Sequence, residues 1–100
     1  MQDNYKASGW VSKDQIERAR RISALDYVLR YEQDNIKRVG NEYRLRDHES
    51  LSVGNRGFYW HSQGVGGKKA LDYLTGVCGY AFVDAVCLLI NDRLLLSMEG

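Results

Sequence analysis

Residues 58–74, FYWHSQGVGGKKALDYL, decide the fold because the hydrophobic period changes within them. FYWHS alternates like a β-strand, whereas ALDYL places apolar side chains at helical spacing. The glycines between these segments predict a turn, with Lys68 and Lys69 in the first turn of the helix that follows. The pattern therefore predicts a strand, a turn and a helix in close succession.

The chain before the sheet predicts helical structure. Ser12 followed by Gln15 is typical of a capping box, and apolar residues then recur at helical spacing through residue 29. Ser23 followed by Asp26 is a second candidate N-cap. The segment is therefore either one long helix or two short helices.

Two hairpins are predicted next. IKRVG and EYRLR flank Gly40-Asn41, and SLSVG and FYWHS flank residues 55–57. Alternation places Arg44 and Arg46 on one side of their strand, and it separates Tyr59 and His61 from the apolar side chains beside them. We therefore expect one apolar sheet face and one basic face with aromatic side chains.

Two helices are predicted after the glycines, one from residue 70 and one from residue 82 to about residue 91. The tail from residue 92, which contains RLLLSMEG, extends the last helix, pairs in an oligomer or begins a further domain. The predicted fold class is α+β: an N-terminal helix or helix pair, a small antiparallel sheet of two hairpins and two C-terminal helices. Residues 1–100 are expected to form a single domain.

Composition excludes several classes of protein. Residues 1–100 carry 44% hydrophobic and 27% charged residues with a net charge of +1, as in ordinary globular domains. No apolar run approaches the ~20 residues of a membrane span, so a cytoplasmic protein without membrane contact is expected. Cys78 and Cys87 are expected to be buried free thiols.

The sequence carries no recognisable catalytic motif. GVGGKK suggests either an anion-binding turn or a flexible turn with two solvated lysines, but it is not a Walker motif because Ala70 follows the lysines. His48 and His61 have no accompanying nucleophile elbow. We therefore expect no enzymatic activity and no cofactor in these residues.

Three segments carry a family resemblance: EYRLRDHESLSV, YWHSQGVGGKKALDYL and GYAFVDAVCLL. Over residues 12–91 the chain resembles the N-terminal zinc-ribbon domain of bacterial replicative DNA primases. It resembles more closely an uncharacterised relative of that ribbon, found upstream of Toprim-like domains in proteins of mobile elements. The resemblance implies a zinc-ribbon-like sheet.

The zinc ligands implied by the resemblance are mostly absent. His48 matches the ribbon's histidine, but Leu45 occupies the first cysteine position, and His61 and Gly64 fall near the third and fourth ligands. At most two ligands remain, which cannot close a tetrahedral site. No bound metal is expected, with Leu45 and Trp60 supplying core contacts in its place. His48 is then a hydrogen-bonded structural residue, or it holds a weak metal together with His61.

The resemblance implies a non-catalytic module that binds single-stranded nucleic acid, with DNA favoured, in a primase-like or mobile-element replication protein. Cations that follow the backbone and aromatic rings that stack on bases are what such binding requires. The residues predicted to bind are Arg44, Arg46, Tyr59, Trp60, His61, Gly66, Gly67, Lys68 and Lys69.

The alternative function is a protein-interaction module. The apolar Leu94-Leu95-Leu96 tail would form a homodimer or position a neighbouring Toprim-like catalytic domain of the same protein. Nothing in the sequence chooses between these two partners.

Overall fold

The computed structural model describes the backbone of residues 11–99 and the side chains of residues 11–96. The N-terminal segment forms two helices, α1 (Lys13–Ala19) and α2 (Ala24–Tyr31). The Ser12 and Gln15 side chains form the predicted capping box. The Ser23 hydroxyl accepts a hydrogen bond of 3.1 Å from the Asp26 amide and begins α2. The two-helix alternative is therefore confirmed.

A single antiparallel sheet follows, after a short 3-10 turn at Gln33–Asn35. Its five strands are β1 (Ile36–Val39), β2 (Glu42–Leu45), β3 (Leu51–Gly54), β4 (Gly57–Trp60) and β5 (Val65–Gly67). Each strand pairs with the next along the chain, so the strand order is β1-β2-β3-β4-β5. The β1–β2 connection is the two-residue turn Gly40-Asn41, in which Gly40 has a φ of +64°.

The α+β class is confirmed, but a zinc-ribbon-like sheet made of two hairpins is not. Strand β2 also pairs with β3, which joins the two predicted hairpins into one meander. The predicted glycine turn is wrong at Gly66 and Gly67, which lie in β5 opposite Tyr59 and Phe58. Glycine is a poor strand former in isolation, but it is accommodated where a neighbouring group approaches the backbone closely.

Three helices complete the described chain: α3 (Ala70–Gly76), α4 (Phe82–Ile90) and α5 (Arg93–Glu99). The helices pack on one face of the sheet, where α2 contacts β3 and β4, and α3 contacts β5. The core between the layers includes the fully buried side chains of Ile22, Val28, Leu45, Leu51, Val53, Leu74, Val86 and Leu89. No described helix has the length and hydrophobicity needed to cross a bilayer.

The two predicted C-terminal helices are present as α3 and α4, but the prediction is incomplete because the tail forms a third helix, α5. Leu95 is completely buried in the core, and α5 packs on α2 and α4. The Asp92 carboxylate caps α5, accepting hydrogen bonds of 3.1 Å from the amides of Leu94 and Leu95. A sequence pattern shows that the tail is apolar, but only the packing shows that it belongs to this core.

Asp92 also anchors α5 to α2. Its Oδ2 accepts a 2.6 Å hydrogen bond from Arg30 Nε and another from the Tyr31 hydroxyl. Burial of the carboxylate disfavours ionisation, but the hydrogen bonds from Arg30, Tyr31 and the Leu95 amide outweigh it and lower the pKa of Asp92 to about 2. The carboxylate is therefore charged at neutral pH and links the two helices.

The cysteine prediction is correct in one respect and wrong in another. Cys78 and Cys87 are both free thiols, and Cys87 is partly buried. Cys78 is exposed rather than buried, because it follows the end of α3 and precedes the left-handed Gly79 in the loop to α4.

Candidate nucleic-acid interface

The outer face of the sheet, opposite the helices, carries most of the predicted binding residues. Strand register aligns five residues in one row across this face: Lys37, Arg44, Ser52, Tyr59 and Gly66. We call this set the outer row. Side chains alternate between the faces of a strand, so the neighbours of these residues belong to the opposite face. The register thus brings a guanidinium, an aromatic ring and a glycine together on one flat surface.

Tyr59 is the large aromatic residue of the outer row. A Cβ atom placed on Gly66 would lie 2.6 Å from Tyr59 Cδ1, so the tyrosine ring lies over the backbone of β5. The residue remains 44% exposed. His61 packs edge-on against the ring, with 4.8 Å between ring centroids. Tyr59 is therefore held in place by its neighbours while presenting apolar surface to solvent.

Arg44 lies in the same row, two strands from Tyr59 with Ser52 between them, and is partly buried. Its Nη1 group donates a 3.2 Å hydrogen bond to the Glu49 carbonyl oxygen. Its Nε atom is buried and has no hydrogen-bond partner among the described residues. An unpaired buried donor costs about 1–3 kcal/mol. The guanidinium therefore has a donor that the described protein groups do not satisfy.

Trp60 and Gly67 lie on the opposite side of the sheet from Tyr59. Trp60 is partly buried against the core, and its ring contacts His48 at 4.7 Å between centroids. A Cβ atom on Gly67 would lie 2.8 Å from the Cβ atom of Asp72 in α3. The structure therefore does not bring these two predicted binding residues to the outer face.

The prediction that Lys68 and Lys69 lie in the first helical turn is wrong. Helix α3 begins at Ala70, and Lys69 is its N-cap in an extended conformation. The Lys68 carbonyl oxygen accepts a hydrogen bond from the Ala24 amide, and the Ala70 amide donates to Ile22. These bonds tie the segment to Ile22 and Ala24 and keep both lysines outside α3.

The two lysines also face different surroundings. Lys68 is exposed directly after β5. Lys69 is half-buried and lines a small cavity among the helices with Arg20, Asp72 and Phe82. Asp72, in the first turn of α3, therefore supplies a carboxylate from the chain itself to the cavity that Lys69 lines. The predicted anion-binding turn is not formed, because Gly66 and Gly67 are in β5 and the Ala70 amide is already bonded.

The four degenerate zinc positions do not converge on one site. Leu45 is fully buried, and Gly64 is an exposed turn residue with a φ of +67°. His48 contacts Trp60, whereas His61 contacts Tyr59 on the other face. Among the described residues, no three or more His, Cys, Asp or Glu side chains group as a metal site would require. Leu45 and Trp60 do pack in or against the core, as expected.

Sequence reasoning missed two members of the outer row. Lys37 pairs directly with Arg44, and the buried Ser52 lies between Arg44 and Tyr59. Alternation within each strand assigns a face, but it does not say which residues of separate strands are neighbours. The Gly40-Asn41 turn was the signal that could have identified Lys37, because a two-residue turn sets the β1–β2 register.

Searches against protein-family models, curated protein sequences and solved structures found no match to this chain. The resemblance to the primase ribbon therefore stays a prediction.

Proposed function

We propose that the outer face of the sheet binds single-stranded nucleic acid, with DNA as the favoured ligand, and that this module does not itself catalyse a reaction. The observation that carries the proposal is the Tyr59 ring, which lies over Gly66 on a sheet face that no described helix covers, with Arg44 in the same row. Unpaired bases stack on such exposed aromatic rings whatever their identity.

The charge around this ring supports the proposal. Lys37 and Arg44 share the face, and Arg46 and Lys68 extend it as exposed residues just beyond the ends of their strands. Glu42 is the acidic residue among the described strand positions of this face. The chain's net charge of +1 therefore conceals a local excess of cations. Local cations, rather than net charge, determine phosphate contacts.

The unpartnered Nε of Arg44 supports phosphate binding in particular. A guanidinium donates two parallel hydrogen bonds to a phosphate group, one of them from Nε when the phosphate approaches side-on. A phosphate oxygen at this position would satisfy the buried donor that the described residues leave unpaired. A small movement of the Arg44 side chain would give the phosphate access.

The proposed interface contains Arg44, Arg46, Tyr59, His61, Gly66 and Lys68, with Lys37 added from the register. Trp60, Gly67 and Lys69 lie elsewhere and are left out. A place beside a Toprim-like catalytic domain in a mobile-element replication protein is what the resemblance implies for the full-length protein.

Fluorescence anisotropy with labelled oligo(dT) tests the proposal. Replacing Tyr59 with Leu should weaken binding by about 1–3 kcal/mol, since that is the range for one stacked base. Tyr80→Leu is the matched control, because Tyr80 is 40% exposed in the loop before α4, close to the 44% of Tyr59. Equal affinity of the parent and the Tyr59→Leu variant would refute the proposal.

A salt titration tests the cations separately. The triple variant Arg44→Gln, Arg46→Gln, Lys68→Gln should lower the slope of log affinity against log salt by up to about 0.7 per lost phosphate contact. The control triple Lys13→Gln, Arg20→Gln, Arg21→Gln removes the same charge from exposed residues around α1. If both triples change the slope equally, the cations of the outer face have no special role.

The alternative, protein interaction, rests on a smaller surface than the sequence predicted. Leu95 is inside the core, so it cannot contribute to an interface without unfolding α5. Leu29, Tyr31 and Leu94 are the large hydrophobic residues exposed on α2 and α5. A parent protein that sediments as a dimer, and a Leu94→Ser variant that sediments as a monomer, would favour this function.

A further inference from the structure

The outer face contains a groove that the sequence did not predict. It has a volume of about 680 Å³ and lies at the turn end of β1 to β4, next to Tyr59. Gly54 and Gly57 contribute no side chains to its lining, whereas Val39 and Tyr59 contribute apolar surface. Gly57 has a φ of +120°, a conformation that favours glycine, and its backbone packs closely against Gly67, where an added Cβ atom would clash with the Gly67 carbonyl oxygen.

Two unlike charges line the same groove. Glu42 supplies a carboxylate from the start of β2, and Arg56 supplies a guanidinium from the β3–β4 turn. Within residues 11–96, neither side chain forms an ion pair or a side-chain hydrogen bond, even with the other. Both groups are therefore open to a ligand that offers donors at one edge and acceptors at another.

We propose that this groove takes a single guanine base of the bound strand, an inference that rests on the proposed function. The Watson–Crick edge of guanine presents two adjacent N–H donors, which match the two oxygens of the Glu42 carboxylate. Its O6 and N7 atoms are acceptors for the Arg56 guanidinium, in the commonest specific contact between arginine and a base. Val39 and Tyr59, at different parts of the lining, offer apolar surface to the flat ring.

The other bases satisfy this pair of side chains less well. Thymine and uracil have no amino group for Glu42 and no N7 for Arg56. Cytosine offers one amino group without N7, and adenine offers N7 beside an amino donor that opposes a guanidinium. Guanine is therefore the base whose donors and acceptors match both charges.

Oligo(dT) carrying one central guanine is the probe. We expect the parent protein to bind it about tenfold more tightly than plain oligo(dT), within the range given by one good bidentate pair. Replacing that guanine with inosine, which lacks the N2 amino group, should remove part of the preference. Replacing it with 7-deazaguanine, which lacks N7, should also remove part of the preference, because Arg56 loses one acceptor.

A Glu42→Gln variant links the inosine effect to the groove. The variant should bind plain oligo(dT) at least as tightly as the parent does, because a negative charge is removed from the outer face, but it should distinguish guanine from inosine less well, because the amide keeps one acceptor oxygen. Glu17→Gln is the matched control, because Glu17 is an exposed residue of α1. A Glu42→Gln variant that keeps the full guanine preference would overturn the inference.

The outcomes separate this inference from the proposed function. Salt-dependent binding with equal affinity for both oligonucleotides would overturn the guanine site and leave strand binding intact. Failure to bind any strand would refute strand binding. An NMR titration with GMP and with TMP, monitored at the amide resonances of Gly54 and Gly57, would then test whether the groove binds guanine by itself. Shifts with GMP that are absent with TMP and in Glu42→Gln support the site, whereas identical responses to both nucleotides overturn it.

Discussion

The two faces of the sheet differ sharply although the same strands build both. On the inner face, Leu51, Val53 and Phe58 are buried under the helices. On the outer face, the adjacent residues Ser52 and Tyr59 belong to the outer row, which no described helix covers. Successive side chains point to opposite faces, so stability and the proposed binding alternate residue by residue. Substitutions one position apart should therefore have separable effects.

Charged groups on the two sides of the sheet also differ, in how fully they are hydrogen-bonded within the described protein. The Asp92 carboxylate on the helical side accepts hydrogen bonds from Arg30, Tyr31 and two backbone amides. Arg44 on the outer face has a buried Nε without a partner among the described residues. A charged group whose hydrogen bonds are all made within the protein stabilises the fold, whereas a group with an unpaired donor can still bind a ligand.

The largest expected effect is on the inner face. Leu51→Ala should lower the free energy of unfolding by about 3 kcal/mol, because it leaves a cavity in a fully packed site. Ser52→Ala, one position away, should cost less than about 1 kcal/mol, since the Ser52 hydroxyl makes only a long 3.5 Å hydrogen bond. Urea denaturation measures both, and similar values would contradict the separation of the faces.

Asp92→Asn should rank second, lowering stability by about 2 kcal/mol. Asparagine can still cap α5, but it loses the charge-assisted hydrogen bonds from Arg30 and Tyr31. The same substitution should leave oligonucleotide affinity unchanged, because Asp92 lies on the helical side. A fall in affinity at full folding would show that the two sides are coupled.

The contribution of Asp92 should also depend on pH. Its pKa is lowered from 3.8 to about 2 on folding, so its stabilising effect is complete above pH ~4 and disappears as the pH falls through about 2. The stability difference between the parent and Asp92→Asn should therefore be constant at neutral pH and shrink in acid. Urea denaturation over that pH range checks this, and a constant difference in acid would show that another group is responsible.

Gly66→Ala should have a smaller effect on stability, about 1 kcal/mol, but a clear effect on binding. The added Cβ would lie 2.6 Å from Tyr59 Cδ1, so the ring must leave its position over β5. Gly64→Ala is the control, because it adds backbone strain at a φ of +67° with no atom within 4 Å. If oligo(dT) binds both variants equally well, the position of the ring does not matter.

The smallest expected effect separates the two adjacent lysines. Lys68→Gln should reduce the salt slope by about 0.7, the value for one single-strand phosphate contact. Lys69→Gln should leave the slope unchanged, because Lys69 lines a cavity among the helices. Equal slopes for the two variants would place both lysines, or neither, at the interface.

Local signals in the sequence were sufficient for several elements. Ser12 with Gln15 and Ser23 with Asp26 form caps from residues three positions apart, and Gly40-Asn41 forms its turn within four residues. The partners in each case are close in sequence, so the pattern itself contains the interaction.

Non-local contacts decided the elements that the sequence pattern missed. Gly66 and Gly67 have no side chains to favour a strand, and they form one because β4 pairs with them while Tyr59 and Asp72 approach their backbones. Bonds to residues more than forty positions earlier keep Lys68 and Lys69 outside α3.

The alternating pattern by itself determined which strand residues face away from the core, and Arg44 and Tyr59 are both among them. Register across five strands decided that Lys37, Ser52 and Gly66 are their neighbours, and it brought Glu42 and Arg56 to one groove. The physical reason is that a side chain's face depends on the local geometry of its own strand, whereas its neighbours depend on hydrogen bonds between segments far apart in the chain.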